Sequence, residues 1–237
     1  MRRKVESLIK KNLHKLGIEV SYATPNYKPE LYNTVLTASV SVQPSFNIIE
    51  VGANDGKYAD PIYEFVREHQ NRTNIILIEP QDELIPYLRE NYSYHQSSEV
   101  YNKAIGTRKS TIQLYRIKKG YWDRINVNYG EHWPEYRVPT GVTTSNEKQL
   151  LDWISEHIQT ESKPSEVIEK YDVDVVQPNE VISRSQIINK VHLLQVDAEG
   201  LDNKIVYNFF DNNIFPSIVN IESKHLDIVR KLNSKID

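Results

Sequence analysis

Between residues 46 and 106, and again after residue 191, short uninterrupted apolar runs alternate with segments of helical spacing. The runs predict strands at Asn47–Val51, Asn74–Ile78, Val100–Ile105, His192–Val196 and Ser217–Ile221. Helical patterns fall near Asp60–His69, Asp82–Asn91 and Asp202–Asn212, with Pro61 suited to a first turn and Asp202 to an N-cap. Strands that are apolar throughout, rather than at alternate positions, are covered on both faces. The fold class that follows is α/β: a Rossmann-like, mostly parallel sheet with helices on both faces.

Two stretches depart from this rhythm. Val5, Leu8, Ile9, Leu13 and Leu16 recur at helical spacing before Gly17, which predicts a helix on the flank of the domain. Ser21–Ser45 carries three prolines and little periodicity and reads as an arm. Residues 1–45 are therefore expected to be a helix and arm, and residues 46–237 the main domain. Residues 107–186 interrupt the alternation between the third and fourth strands. There Thr111–Ile117 reads as an extra strand, Glu147–His157 as a helix and Val173–Val176 as a short strand. Lys118–Thr144 gathers Tyr121, Trp122, Tyr129, His132, Trp133 and Tyr136 among Gly, Pro and Asn. Long aromatic loops usually serve function. The insertion is expected to lie over the carboxyl ends of the strands, where open α/β sheets bind ligands.

Composition narrows the field. At 237 residues the chain suits one domain with an elaboration, and its formal charge of −3 argues against a nucleic-acid partner. The absence of cysteine removes disulfides, thiolate metal sites and cysteine nucleophiles, and suits a cytoplasmic protein. No apolar run approaches the roughly 20 residues of a membrane span, so no stable membrane insertion is expected. Fifteen tyrosines against one methionine point to a groove or surface of amphipathic aromatics. Arg116, Lys118, Lys119 and Arg124 read as a solvated face, and oligomer formation is left open.

The chemistry-bearing positions lie at strand ends. The first strand runs into Glu50-Val-Gly52-Ala53-Asn54-Asp-Gly56, followed by Tyr58. This is not the Gly-x-Gly-x-x-Gly spacing of dinucleotide sites. It matches the acidic Glu/Asp-x-Gly-x-x-x-Gly loop by which methyltransferases hold S-adenosylmethionine. Gly52 and Gly56 would let the backbone turn and approach a ligand closely. Glu79-Pro80 closes the second strand, one helix and one strand further on, and a carboxylate there can accept both hydroxyls of a ribose. Asn102 and Ala104 fall where the adenine edge would lie, and Glu50 would face the amino-acid end of the ligand. Asp197 and Glu222 end strands expected to be neighbours, so they could act as a general base or bind a divalent cation such as Mg²⁺. His225 is a further proton acceptor, and Glu199 a further acid just past the end of the fourth strand.

The order of these motifs resembles the FkbM-type S-adenosylmethionine-dependent methyltransferases. The residues are Val51-Gly-Ala-Asn-Asp-Gly56, Ile78-Glu-Pro80, Asn102-Lys-Ala-Ile-Gly106, Leu193-Leu-Gln-Val-Asp-Ala-Glu-Gly200 and Asn220-Ile-Glu222. The resemblance covers Phe46–Gly106 and Val173–His225. It implies a seven-stranded methyltransferase fold and O-methylation of a hydroxyl on a sugar, glycan or secondary metabolite. It also implies donor contacts from Glu50, Gly52, Ala53, Asn54, Gly56, Tyr58, Glu79, Pro80, Asn102, Ala104 and Asp197. Asp197, Glu222 and His225 would serve catalysis, and Glu199, Tyr121, Trp122 and Trp133 the acceptor. Gln195 stands where the family often has lysine, and the span from Gly106 to Asp197 is longer than usual. The residues after the fifth strand leave no room for two further antiparallel strands, so either the sequence is cut short or the sheet is completed differently, for instance by the strand near Thr111. Two alternatives stay open. One is a nucleotide-binding oxidoreductase or epimerase on the same fold; the other is a non-catalytic module binding a glycan or protein partner.

Overall fold

A computed structural model describes residues 29–127, 133–198 and 200–221. In chain order these form α1 (Pro29–Val42), β1 (Phe46–Val51), α2 (Tyr63–Glu68), β2 (Thr73–Ile78), α3 (Ile85–Asn91), β3 (Ser98–Tyr101), β4 (Ala104–Ile105) and β5 (Ser110–Ile117). They continue with α4 (Arg137–Gly141), α5 (Glu147–His157), α6 (Pro164–Val167), β6 (Ile168–Val176), α7 (Pro178–Arg184), β7 (Leu193–Val196), α8 (Asp202–Asp211) and β8 (Ile218–Ile221). The expected helix at Val5–Leu16 lies outside the described residues.

Five strands form a parallel sheet in the order β3-β2-β1-β7-β8, reversing direction of progression between β1 and β7. The alternation of side chains explains why β1 is apolar almost throughout. Phe46 and Ile48 pack on one face with Leu36 and Val40 of α1, Phe65 and Val66 of α2 and Leu88 of α3. Ile49 and Val51 pack on the other with Val181 of α7 and Ile205, Val206 and Phe209 of α8. All six residues of β1 are buried. Both faces are therefore core, as the continuous runs require. No helix among the described residues is long and apolar enough to cross a membrane.

Three expectations are corrected. The stretch 29–42 is a helix and not an arm: Pro29 occupies its first residue, where proline is tolerated, and Leu36 and Val40 supply a buried i, i+4 stripe. The third predicted strand divides into β3, which joins the parallel sheet, and β4, which leaves it. The strand near Thr111 does not complete the main sheet either. β5 runs antiparallel to β6 over eight residue pairs, Ser110–Ile117 against Val175–Ile168, and with β4 they form a separate three-stranded sheet. The expected short strand at Val173–Val176 is the end of the nine-residue β6.

Charged and polar side chains fasten the two sheets. Arg116 is 17% exposed and pairs with Glu83 and Glu169, each at 2.7 Å, and with Asp82 at 3.2 Å. Its guanidinium also lies 4.3 Å from the Tyr171 ring centre. The reading of Arg116 as part of a solvated face is therefore wrong; three carboxylates at one arginine hold β5 and β6 against the turn before α3. Gln195, buried in β7, accepts hydrogen bonds from Tyr32 Oη (3.1 Å) and Asn220 Nδ2 (2.7 Å). It thus ties α1 and β8 to the centre of the sheet.

Candidate functional site

The carboxyl ends of β1, β2 and β7 open into a partly enclosed cleft of about 120 Å³. It sits where the strand order reverses, between β1 and β7, the position at which open α/β sheets bind ligands. Gly52, Asn54, Glu79, Pro80, Ala104 and Asp197 all line it.

The glycine loop owes its shape to its neighbours. Gly52 has φ +80°, and a Cβ there would lie 1.8 Å from the carbonyl oxygen of Asp197. The close approach is sealed by the Asp197 amide donating to the Val51 carbonyl at 2.9 Å. Gly56 has φ +69°, and its Cβ would meet Leu88 Cδ1 at 2.5 Å. Between them Asn54 takes φ +50°, which asparagine tolerates. Asp55, fully buried, accepts the Lys57 and Tyr58 amides through Oδ1 (2.9 and 3.0 Å) and the Tyr136 hydroxyl through Oδ2 (3.1 Å). A carboxylate that sequence reasoning passed over is the pin of the loop.

Glu79 is 2% exposed, although it lines the cleft. Its Oε2 accepts the Asn54 amide at 2.8 Å and its Oε1 the Gln81 amide at 2.9 Å. Burial pushes its carboxyl up to about 7, with those two amides, the Gln81 side chain and the Arg137 charge acting in the opposite direction. Glu50 takes a different place from the one expected. It is buried beneath the loop and faces Asp60, whose Oδ1 accepts the Ile62 and Tyr63 amides at 2.7 and 2.9 Å. Burial, then the Asp60 charge, holds Glu50 well above the usual carboxylate range, and burial raises Asp60 to about 6. A proton retained between the two acids removes the cost of burying like charges together.

These raised values carry a sign. All three acids bind a proton more tightly folded than unfolded; for Asp60 and Glu79 the stabilising contribution is complete below about pH 4 and is lost as pH rises through about 6 to 7. The melting temperature of the ligand-free protein should fall between about pH 5 and about pH 8. Glu79→Gln should flatten that dependence by up to about 1.4 kcal/mol per pH unit near its midpoint. An identical slope in the variant, measured by calorimetry across pH, would contradict the assignment to Glu79.

The remaining predicted residues divide. Ala53 and Gly56 are buried under the loop, and the Tyr58 carbonyl accepts Arg137 Nε at 3.0 Å. Asn102 is exposed; its Nδ2 donates to the Glu79 and Pro80 carbonyls, both at 3.0 Å, and so braces the end of β2. Trp133 lies under the Arg137 guanidinium, 5.4 Å from it. Tyr121 and Trp122 do not reach the cleft: they pack against the separate cluster of Ile117, Leu150, Ile154 and Val167. Trp122 Nε1 donates to the Ile117 carbonyl at 3.1 Å. Asp197 is exposed at the rim. Asp202 does not cap α8; its carboxylate reaches back to the Ala198 and Gly200 amides, each at 3.1 Å, and shapes the turn after Asp197. β7 and β8 pair in register up to Val196 and Ile221, as adjacency of the last two strands requires. Glu199, Glu222 and His225 lie outside the described residues. Among the described residues no group of three or more His, Asp or Glu could hold a metal ion.

Among the cleft residues that were not anticipated are Gln81, Arg137, Thr140 and Thr143. The adjacency of Gln81 to Glu79-Pro80 was the available signal for one of them; the threonines carry none without the tertiary contact.

No curated protein matches the chain. Among solved structures, a precorrin-6y C5,15-methyltransferase from Geobacter metallireducens aligns at 9% identity and TM-score 0.39, covering 91% of this chain and 74% of its own. The 23S rRNA methyltransferase ErmE aligns at 15% identity and TM-score 0.23, covering 52% of this chain and 55% of its own. A SAM-dependent methyltransferase from Aquifex aeolicus aligns at 12% identity and TM-score 0.23, covering 73% and 98%. The description Methyltransferase FkbM domain matches residues 50–231, most of the chain. The protein therefore belongs to the FkbM methyltransferase family, on a Rossmann-like sheet that presents one cleft at its strand ends.

Proposed function

We propose that the protein is an S-adenosylmethionine-dependent O-methyltransferase acting on a hydroxyl of a sugar, glycan or secondary-metabolite acceptor. The observation that carries the donor half is Glu79. Each of its oxygens accepts one backbone amide, which leaves further acceptor capacity on a buried carboxylate lining the cleft. Two adjacent ribose hydroxyls would meet that capacity, and the raised carboxyl value reflects how little solvent meets it otherwise. The position of the cleft, where the strand order reverses between β1 and β7, suits the same ligand. Gly52, Asn54, Pro80 and Ala104 all line the cleft; in this reading the first two would meet the amino-acid end of the ligand and the last two its base.

When bound, S-adenosylmethionine supplies a methyl group on a sulfonium, and transfer breaks the S–CH₃ bond as the O–CH₃ bond forms, the electron pair staying on sulfur. The chain's residues hold the partners in line, which accounts for most of the acceleration in such transfers. The acceptor hydroxyl loses its proton to a base, Asp197 first, then Glu222 or His225. Asp197 is suited to this because it borders the cleft while remaining open to solvent.

Glu79→Ala should weaken S-adenosylmethionine binding about 100-fold, the loss of two hydrogen bonds to a charged acceptor. In the natural protein the affinity should rise with pH and level off above about 7, because the carboxylate is the form that accepts the hydroxyls. Isothermal titration across pH reads both. Equal affinity in Glu79→Ala would remove Glu79 from the donor site, and no binding by the natural protein would remove the enzyme reading.

A further inference from the structure

The insertion reaches the cleft at the carboxyl ends of the strands through Ile112, Leu114, Thr140, Thr143 and Thr144. Resting on the donor reading above, we infer that residues 140–145 and the β5 side chains Ile112 and Leu114 form the roof over the base half of the donor, with Gln81 as the residue that positions it. The acceptor then enters from the opposite end, past Asp197 and α8.

Three sets of contacts support this placement. First, Ile112, Leu114, Thr140, Thr143 and Thr144 border the same cleft as Pro80, Ala104 and Ile105, the residues just beyond β2 and β3. Apolar walls with hydroxyl-bearing side chains suit a flat heteroaromatic base, apolar on its faces and polar at its edge. Second, Gln81 is 5% exposed and joins the roof to the donor acid. Its Nε2 donates to the Thr140 carbonyl at 3.1 Å, its Oε1 accepts the Thr143 hydroxyl at 2.7 Å, and its backbone amide donates to Glu79 at 2.9 Å. Third, the segment is fastened at both ends. Tyr136 and Arg137 bond to Asp55 and the Tyr58 carbonyl, and Thr144 exchanges backbone hydrogen bonds with Tyr115 at 2.8 and 3.1 Å. The roof is a built wall of the cleft. Asp197, Ala198, Leu201 and Ile205 border the cleft from β7 and α8.

The test uses ligands that share the adenosyl group but differ beyond it: adenosine, S-adenosylhomocysteine and S-adenosylmethionine. Thr143→Val removes the hydroxyl that Gln81 accepts while keeping the side-chain volume. It should weaken all three ligands alike, about tenfold, the worth of one buried hydrogen bond. Thr143→Ser, which restores the hydroxyl, should recover them. Ser145→Trp changes an exposed residue at the cleft edge, leaves the core untouched and should obstruct adenosine as strongly as the larger ligands. Unchanged adenosine affinity in Thr143→Val or in Ser145→Trp would overturn the roof assignment, whatever happens to the methionine-bearing ligands. A natural protein that binds none of the three would instead overturn the donor reading, a result seen before any substitution is made.

Discussion

Asp197→Asn is expected to leave S-adenosylmethionine affinity within about twofold of the natural protein while turnover falls about 100- to 10,000-fold, the usual contribution of a general base. The substitution keeps size and backbone. The Asp197 amide still donates to the Val51 carbonyl, and Asp202 still gathers the Ala198 and Gly200 amides, so the turn that carries the side chain keeps its shape. What disappears is a carboxylate at the rim, in the one place where it meets both solvent and the cleft among the acids described at the strand ends; Glu50 is buried beneath the loop and Glu79 within the wall. Single-turnover assays with a labelled methyl donor separate binding from transfer. Normal turnover in Asp197→Asn would pass the proton to another group and end this role for Asp197.

Gly52→Ala should cost the fold about 3 kcal/mol or more and lower the melting temperature by roughly 10 °C. Two penalties combine. The backbone at φ +80° is strained for any residue with a Cβ, and that Cβ would fall 1.8 Å from the Asp197 carbonyl oxygen. Neither side can yield without breaking the hydrogen bond from the Asp197 amide to the Val51 carbonyl that holds β1 and β7 together at the cleft floor. Gly200→Ala is the matched control. It shares a positive φ, +91°, but among the described residues nothing lies within 4 Å of the added carbon, so only the backbone penalty of about 1 kcal/mol remains. Equal melting temperatures for the two variants would show that the contact with Asp197 is not what demands glycine at position 52.

Much of the site was legible in order and little of it in space. The loop from Glu50 to Gly56, Glu79 and Asp197 could be read off because each ends an apolar run, and parallel strands bring such ends to one edge of a sheet. Roles were harder. Glu50 and Glu79 both end strands, but alternation places them differently: Glu50 shares the β1 face of Phe46 and Ile48 and is drawn under the loop to Asp60, while Glu79 lies one residue past β2, where the chain has left the sheet. The aromatic composition of 118–144 suggested a binding surface. Trp122 and Tyr121 instead complete a small core against α5 and α6, since an insertion with its own sheet needs its own apolar centre.

The sequence by itself determined the α/β class, the five strands of the parallel sheet and the burial of its three central ones, the glycine loop and the family, because these depend on local periodicity and on motif order along the chain. Only the tertiary structure decided that residues 29–42 are a helix against the sheet and that β4, β5 and β6 form a second sheet. It also decided that Gln81, Arg137, Thr140 and Thr143 close the cleft over Glu79. Those outcomes rest on contacts between residues about sixty positions apart, as between Gln81 and Thr143, and no local pattern encodes which distant hydroxyl a buried amide will meet.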